Sequence, residues 1–594
     1  MSNGNALDIA IVGMSARLPG AADHHQFWSN LRDKVESIRF LKDEEIAKDF
    51  FLLRNPEYVK AVGFLDDYDK FDPDFFDIPR HIAPMMTPEH RLFIEASWAA
   101  VEDAGYDVDT ISEDVGVYGA SNPESIARYK LPPDWISSGQ EVIELSYGWC
   151  PDSIAPNVLR FLGLTGEALS LATFCTGIHY AIHLASQSLL LGQCDLAIAG
   201  GVVVRIPQER GYLWEKGGVF SRDGHCRPYD ASGTGSALGS GVASFVLKRL
   251  EDAVSARDQI YAVIKGTAVN NNGKSALSYG VAQPDRLAAC IRAALEIAEV
   301  EPETITQVAG FGVGHTLADA VEVKALEMAF DTKERGYCSL GSVKGNIGNC
   351  GVAAGGASLI KAALSLRDGL IPAVINHSEP NREINLPATP FYVSREEAEW
   401  SPSCGVRRAG ITQIAGAGYN AHIVLEEPPR REPRPQGGPQ LVLLSARTPQ
   451  ALSRAKERLV NALDRDPELG LADTAYTLAV GRKSFEHRWA AVVEDRAHLR
   501  RALEEGGAMV RLGERLGERG PSAYDRRQLS EGERGLVPAG ATSEATLAAL
   551  RDAWAYGHRI DWVTATEEWS GQRASLPTYP FARERHWLSA GDAF

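Results

Sequence analysis

The chain has 594 residues, 44 % hydrophobic and 23 % charged, with a formal net charge of −17 at pH 7. This length predicts two to four domains and this composition an ordinary globular core. The acidic balance argues against nucleic acid as the main partner, which needs a basic face. The absence of any run of 18 apolar residues argues against a membrane span.

The N-terminus, MSNGNALDIAIVGM, has neither a basic stretch nor a long apolar one, so no secretory signal is expected. Eight cysteines are scattered without a CxxC pair, which predicts neither a disulfide framework nor a zinc site. A reducing cytoplasm fits that usage.

Residues 8–13, DIAIVG, predict a short strand ending in glycine. Residues 84–103 predict an amphipathic helix, with Leu92, Phe93, Ala96, Ala99 and Ala100 forming its apolar stripe. Residues 114–119 predict a strand, and 154–163 are apolar at helical spacing. The run Leu169-Ser170-Leu171-Ala172 predicts a buried strand. A helix follows, because Ile178, Ala181, Ile182, Ala185 and Leu189 recur at spacings of three and four. Residues 196–204, LAIAGGVVV, read as a strand covered on both faces. The glycine-rich stretch 227–241 lacks GxxxxGK[ST] and lacks a strand–GxGxxG–helix order. It therefore predicts tight turns and close backbone packing rather than a phosphate cradle. A second helix–strand series runs over 260–393. Alternation repeated twice predicts a layered α/β fold of two related halves.

Residues 426–439 form a Pro/Arg/Gly-rich linker. Beyond it, strands are expected at 440–445 and 488–494, with helices at 448–463 and 471–481. Residues 505–543, rich in Gly, Arg and Glu, are expected as loop or disorder. A helix over 544–556 precedes the tail 576–588, LPTYPFARERHWL.

Cys175 stands where the strand of 169–172 gives way to the helix. A thiol at a helix N-terminus meets free backbone N–H groups and the positive dipole end, which favour the nucleophilic thiolate. A packed core cysteine is the alternative, since free cysteines are usually buried.

At these residues the chain resembles the ketosynthases of modular polyketide synthases, members of the thiolase-like condensing enzymes. DIAIVGMSARLPGA, MTPEHRLFIEASWAAVEDAGY, GQCDLAIAGGV, RPYDASGTGSALGSGV and YNAHIVLEE match the family's motifs in order, and Cys175 falls on its nucleophile. The resemblance implies a thiolase-like layered αβαβα fold of two related halves over residues 7–427. It implies a linker at 428–439 and a small α/β flanking subdomain with a post-acyltransferase-like tail over 440–588. No acyltransferase lies between 440 and 576, a spacing similar to trans-acyltransferase assembly lines. The resemblance further implies acyl carrier proteins and other polyketide synthase domains as partners, and a homodimer with the segment before the nucleophile near the interface. No bound cofactor and no metal are expected, because the substrate arrives on carrier-protein phosphopantetheine.

Family members condense with two histidines, one in HGTGT and one in KxNIGH. The anchor LADAVEVKAL sets Phe311 at the first histidine's place and puts Val313 and His315 at two threonines that hold pantetheine. KSNIGH reads Lys344-Gly-Asn-Ile-Gly-Asn349, keeping Lys344 and placing Asn349 at the second histidine. SSFGFSGTNAH begins at Thr412, so Ile414 takes the gating phenylalanine's place, Ala415 that of a flexible glycine, and Tyr419 also joins the altered pocket. Phenylalanine neither donates a hydrogen bond nor carries charge, and asparagine does not shuttle a proton near neutral pH. Loss of one oxyanion donor alone costs on the order of 3 kcal/mol.

The expectation is a non-elongating acyltransferase that holds an acyl chain on Cys175 and passes it between carrier proteins without decarboxylative condensation. A different reaction on the bound chain (cyclisation, branching or release) and a catalytically dead docking module are the alternatives. Local alternatives also stand. His315 is either a solvated loop residue or a relocated base. Asn349 either serves the site or fixes a loop, and Lys344 either serves the site or pairs with Glu322 or Asp319. His183 is read as structural.

Overall fold

The computed structural model describes residues 7–46, 51–122, 147–275, 283–431, 437–505, 509–511 and 543–587. Its centre is one eleven-stranded sheet. The strands are β1 (Ile9–Arg17), β2 (Val115–Ser121), β3 (Ala168–Leu171), β4 (Leu196–Val203), β5 (Gly241–Arg249), β6 (Ala262–Asn271), β7 (Gln307–Ala309), β8 (Cys338–Gly341), β9 (Phe391–Tyr392), β10 (Arg408–Ile414) and β11 (Tyr419–Glu426). The helices are α1 (His24–Arg32), α2 (Pro88–Asp103), α3 (Ile154–Leu162), α4 (Gly177–Leu190), α5 (Pro284–Ala298), α6 (Thr316–Phe330) and α7 (Val352–Asp368).

The strand order β9-β8-β7-β10-β11-β6-β1-β5-β4-β2-β3 contains the same pattern twice. β1 pairs antiparallel with β5, β5 antiparallel with β4, β4 parallel with β2, and β2 parallel with β3. In the second half β6–β11, β11–β10, β10–β7 and β7–β8 repeat those senses in that order. The halves join where β1 meets β6 over Ile9–Ile264, Ala10–Val263 and Ile11–Ala262. This is the layered α/β fold of two related halves that the alternating elements predict, and the thiolase-like arrangement that the family resemblance implies.

Layering follows from which strand face each side chain occupies. Along β4, Ile198 and Val202 enter the core beneath α2 and α3, whereas Ala197, Ala199 and Val203 enter the core around α4 and α7. Those two helices pack on each other and on strands of both halves. They form the central layer, while α5 and α6 cover the outer face of the second half. Small residues at the α4–α7 crossing permit this approach: a Cβ on Gly356 would lie 2.8 Å from Ile178 Cδ1.

One expectation is corrected. The strand before Cys175 is not buried: Leu169 is 38 % exposed and β3 is half-exposed along its length. The reason is topological, since among the described residues β3 is the last strand of the sheet.

The segment after residue 437 forms a three-stranded antiparallel sheet, β12 (Gln440–Ala446), β13 (His487–Val493) and β14 (Met509–Arg511). Around it lie α8 (Pro449–Arg465), α9 (Leu471–Val480), α10 (Arg496–Glu504) and α11 (Glu544–Tyr556). Thr448, Asp495 and Ser543 cap α8, α10 and α11 through their side-chain oxygens. β14 falls inside the stretch expected as loop; residues 506–508 and 512–542 of that stretch lie outside the described residues. The tail returns across the first half. Glu584–Arg585 pairs with Lys70–Phe71, and Tyr579 and Phe581 enter an aromatic cluster with Phe75 and Trp98. Among the described residues no helix is long and apolar enough to cross a membrane.

Candidate active site around Cys175

Cys175 is half-buried, lies in no disulfide, and sits in a single 3-10 turn, Phe174–Thr176, that leads into α4. The turn is tight. Phe174 takes φ 51°, a left-handed conformation unfavourable to a bulky side chain. Thr176 Oγ1 donates to Thr173 O at 2.6 Å. Gly177 opens α4 at a point where a Cβ would lie 2.7 Å from Ala120 Cβ and 3.0 Å from Val352 Cγ1. The thiol thus stands at the N-terminal end of a 14-residue helix wedged between β2 and α7.

Two buried carboxylates on α6 shape the loop that carries Phe311 and Val313. Glu322 accepts from the backbone N–H of Phe311 (2.6 Å) and of Gly312 (2.8 Å) and from the Tyr229 hydroxyl (3.1 Å). Asp319 accepts from the N–H of Val313 (2.9 Å) and of Tyr229 (2.8 Å). Burial pushes the Asp319 carboxyl up to about 7 and raises Glu322, while the donated N–H bonds oppose both shifts. Val313 is buried, and His315 is half-buried at the N-cap of α6, bridging through its backbone to Thr234.

Lys344, fully buried, follows β8. Its ammonium donates to Phe311 O and lies 4.2 Å from the Phe311 ring centroid, a cation–π contact. Burial lowers its pKa, whereas charge on Cys175, then on Glu322, favours its protonated form. The structure therefore couples Lys344 to the thiol and to the acidic pair, with its direct hydrogen bond going to a backbone carbonyl. Asn349 Oδ1 accepts from Gly351 N at 3.1 Å, at the start of α7. Its backbone bonds Ala237 O at 2.8 Å and Gly239 N at 3.0 Å.

Ile414 and Ala415 are buried at the end of β10, with Ala415 N bonded to Tyr419 O at 2.9 Å. Tyr419 opens β11, its ring 6.5 Å from Phe174 and 5.7 Å from Tyr180 in an edge contact. An aromatic row thus flanks the thiol-bearing turn. Of the residues singled out in the sequence, Phe311 and Lys344 meet directly, Lys344 is coupled to Cys175, and Tyr419 reaches the turn through Phe174. Val313 and His315 lie farther along the loop that Asp319 and Glu322 hold, and Asn349 is tied into the glycine-rich strip. His183 Nδ1 lies 2.8 Å from Thr267 Oγ1.

Sequence reasoning missed the loop-holding role of Asp319 and Glu322 and the strained Phe174, and it placed His179 on the buried helix without a role. His179 lies one turn after Cys175, is 1 % exposed, and neither ring nitrogen finds a hydrogen-bond partner among the described residues. Burial holds its imidazole down to about 3, with His422 and Lys344 acting in the same direction. Its position on the buried stripe of the helix was the available signal.

A half-buried thiol at a helix N-terminus, coupled to a buried ammonium, is equipped for nucleophilic acyl chemistry. Comparison with known proteins shows the family. The beta-ketoacyl synthase N-terminal domain family matches residues 6–253 and its C-terminal domain family residues 261–378. The CurL-like PKS C-terminal family matches residues 440–503. The chain is 38 % identical over 536 residues to a component of the phenolphthiocerol/phthiocerol polyketide synthase of Mycobacterium tuberculosis, covering 87 % of this chain and 36 % of that protein. It is 32 % identical over 598 residues to polyketide synthase PksN of Bacillus subtilis, covering 98 % of this chain and 11 % of that protein. It thus spans about a third or less of these curated relatives. Ketosynthase twelve from the bacillaene polyketide synthase of Bacillus amyloliquefaciens superposes with a TM-score of 0.86 at 33 % identity, covering 98 % of this chain and 100 % of that one. The chain therefore belongs to the beta-ketoacyl synthase family, as a ketosynthase domain of the modular polyketide synthase kind.

Proposed function

We propose that this ketosynthase domain is a non-elongating transacylase of a trans-acyltransferase type assembly line, passing acyl chains between acyl carrier proteins through Cys175. The supporting observation is the chemistry around the thiol. On the family resemblance, Phe311 and Asn349 occupy the places of the two condensing histidines. The Phe311 ring lies under Lys344, and the Asn349 side chain accepts from Gly351 N. Neither moves a proton at neutral pH. What remains is a nucleophile and a buried cation.

Those parts suffice for thioester exchange. The Cys175 thiolate attacks the carbonyl of the donor thioester, a C–S bond forms, and the phosphopantetheine thiolate leaves and takes a proton. The acceptor's phosphopantetheine thiolate then attacks the Cys175 thioester and regenerates the Cys175 thiolate. No carbanion forms, so no decarboxylation is needed. Val313, His315, Ile414, Ala415 and Tyr419 are assigned to the pantetheine and acyl path on the same resemblance. The half-exposed β3 edge, with Leu169 and Phe174 beside it, supports a homodimer joined through that strand.

Intact-protein mass spectrometry with an acyl-carrier donor and a second carrier tests this reading. The expected result is an acyl adduct on the protein, transfer to the acceptor, no loss of carbon dioxide from a malonyl carrier, and no adduct on Cys175→Ala. Condensation with the malonyl carrier would overturn it. Failure of the wild type to acylate would favour a docking module, and a chain released with altered mass or ring count would favour a repurposed reaction.

A further inference from the structure

A second cluster of polar side chains, unconnected with acyl transfer, surrounds Asp103. His24 and His25 open α1 after the N-cap Asp23. Their rings lie 4.1 Å apart between centroids, tilted by 37°. Asp103 closes α2, Tyr261 immediately precedes β6, and Ser575 comes from the returning tail. His25 Nε2 is 3.1 Å from Ser575 Oγ, which donates to Asp103 Oδ1 at 2.6 Å. The Tyr261 hydroxyl donates to Asp103 at 2.9 Å and lies 3.4 Å from His24 Nε2. The side chains converge on the carboxylate, and one ligand atom each from His24, His25 and Asp103 lies within 4.8 Å of the others. His24 is 5 % and Asp103 1 % exposed.

Two imidazoles and a carboxylate within 4.8 Å of one another, His24 and Asp103 buried and His25 half-buried, supply nitrogen and oxygen donors of a four-coordinate zinc site. Met14 N, at 2.9 Å from Asp103 Oδ2, and the Tyr261 hydroxyl hold the carboxylate in place, as outer hydrogen bonds do for a metal ligand. We propose that His24, His25 and Asp103 bind one zinc ion, with the Ser575 hydroxyl or a water as fourth ligand. The ion joins two stretches far apart in sequence, the start of α1 and the end of α2, beside the Ser575 hydroxyl of the tail. It therefore acts as a clip within the ketosynthase, and binding stabilises the folded state by mass action.

The full chain, stripped with chelator and desalted, is titrated with zinc sulfate and, separately, cobalt chloride. The expected results are one zinc retained per chain by elemental mass spectrometry and a tetrahedral cobalt spectrum without a thiolate band. A zinc-dependent rise in melting temperature is also expected. His25→Gln and His24→Gln weaken zinc binding by about tenfold or more, and Ser575→Ala retains it. Retention well below one zinc per chain, equal binding by His25→Gln, or a cobalt–thiolate band would overturn the proposal. If His24→Gln fails to fold, the half-buried His25→Gln variant and the cobalt spectrum still decide.

Discussion

Lys344 has its ammonium 4.2 Å from the Phe311 ring centroid and is shielded from water, so its charge is supported by the aromatic face, a carbonyl, two carboxyls and the thiol. Charge on Cys175 favours protonated Lys344, and by reciprocity protonated Lys344 favours the thiolate. Lys344→Met should slow alkylation of Cys175 by a small haloacetamide at pH 7. The rate-against-pH curve should move to higher pH. Asp319 is the second titrating group of consequence. Its carboxyl stands at about 7 in the fold against an ordinary value of 3.8. A group raised in this way binds its proton more tightly when folded, so the stability it contributes is complete below about 4 and lost as pH rises through about 7. Urea unfolding across that range should show wild-type stability falling by a few kcal/mol at most, and Asp319→Asn should flatten the slope.

The central helix α4 begins at Gly177, and the space there decides where the nucleophile stands. Gly177→Ala places a methyl 2.7 Å from Ala120 Cβ, with Val352 Cγ1 3.0 Å away. Overpacking of this kind costs about 1–3 kcal/mol, read as a lower urea midpoint, and should slow acylation as well by displacing the 3-10 turn. The helix itself is legible in the sequence, because its apolar residues recur at helical spacing. So is β4, whose eight residues are all buried as the continuous apolar run predicts. The exposure of β3 is not legible. An apolar run of four residues looks the same whether a strand lies inside a sheet or at its edge, since strand position is set by pairing with residues distant in sequence. Likewise, Asp319 and Glu322 sit on an ordinary helical pattern, and nothing local shows that their oxygens face a loop several residues upstream.

The whole molecule is held by a duplicated sheet and by a tail that crosses it. Leu576, Tyr579 and Phe581 are each under a tenth exposed and tie the segment beyond the linker to the outer face of the first half. The aromatic contacts of Phe75 with Trp98, Tyr579 and Phe581 each contribute about 0.5–1.5 kcal/mol beyond area burial. The β3 edge of that half is where the proposed dimer joins. Leu169→Glu should convert the dimer to a monomer in light scattering, because a charge on an edge strand opposes strand addition. A wild-type monomer at micromolar concentration would sink that arrangement.

The α/β class, the repetition of its elements in two halves, the flanking α/β segment and the thiol at a strand–helix junction are all readable from the chain before it folds. Those features depend on local periodicity and on motifs contiguous in the chain. Other features exist only once the chain has packed. They include the edge position of β3, the bond of Lys344 to the Phe311 carbonyl and its stacking on that ring, and the hold of Asn349 on the first residue before α7. They include the burial of His179 one turn beyond Cys175, and the meeting of His24, His25, Asp103 and Ser575. Most of these depend on groups brought together across tens to hundreds of residues, fixed by how the two halves and the tail pack. For Cys175 itself, the local stretch alone leaves a packed core cysteine and a nucleophile both open, and the family resemblance favours the nucleophile. The structure adds what sequence does not show: a strained turn, a helix end and a buried lysine beside a half-buried thiol.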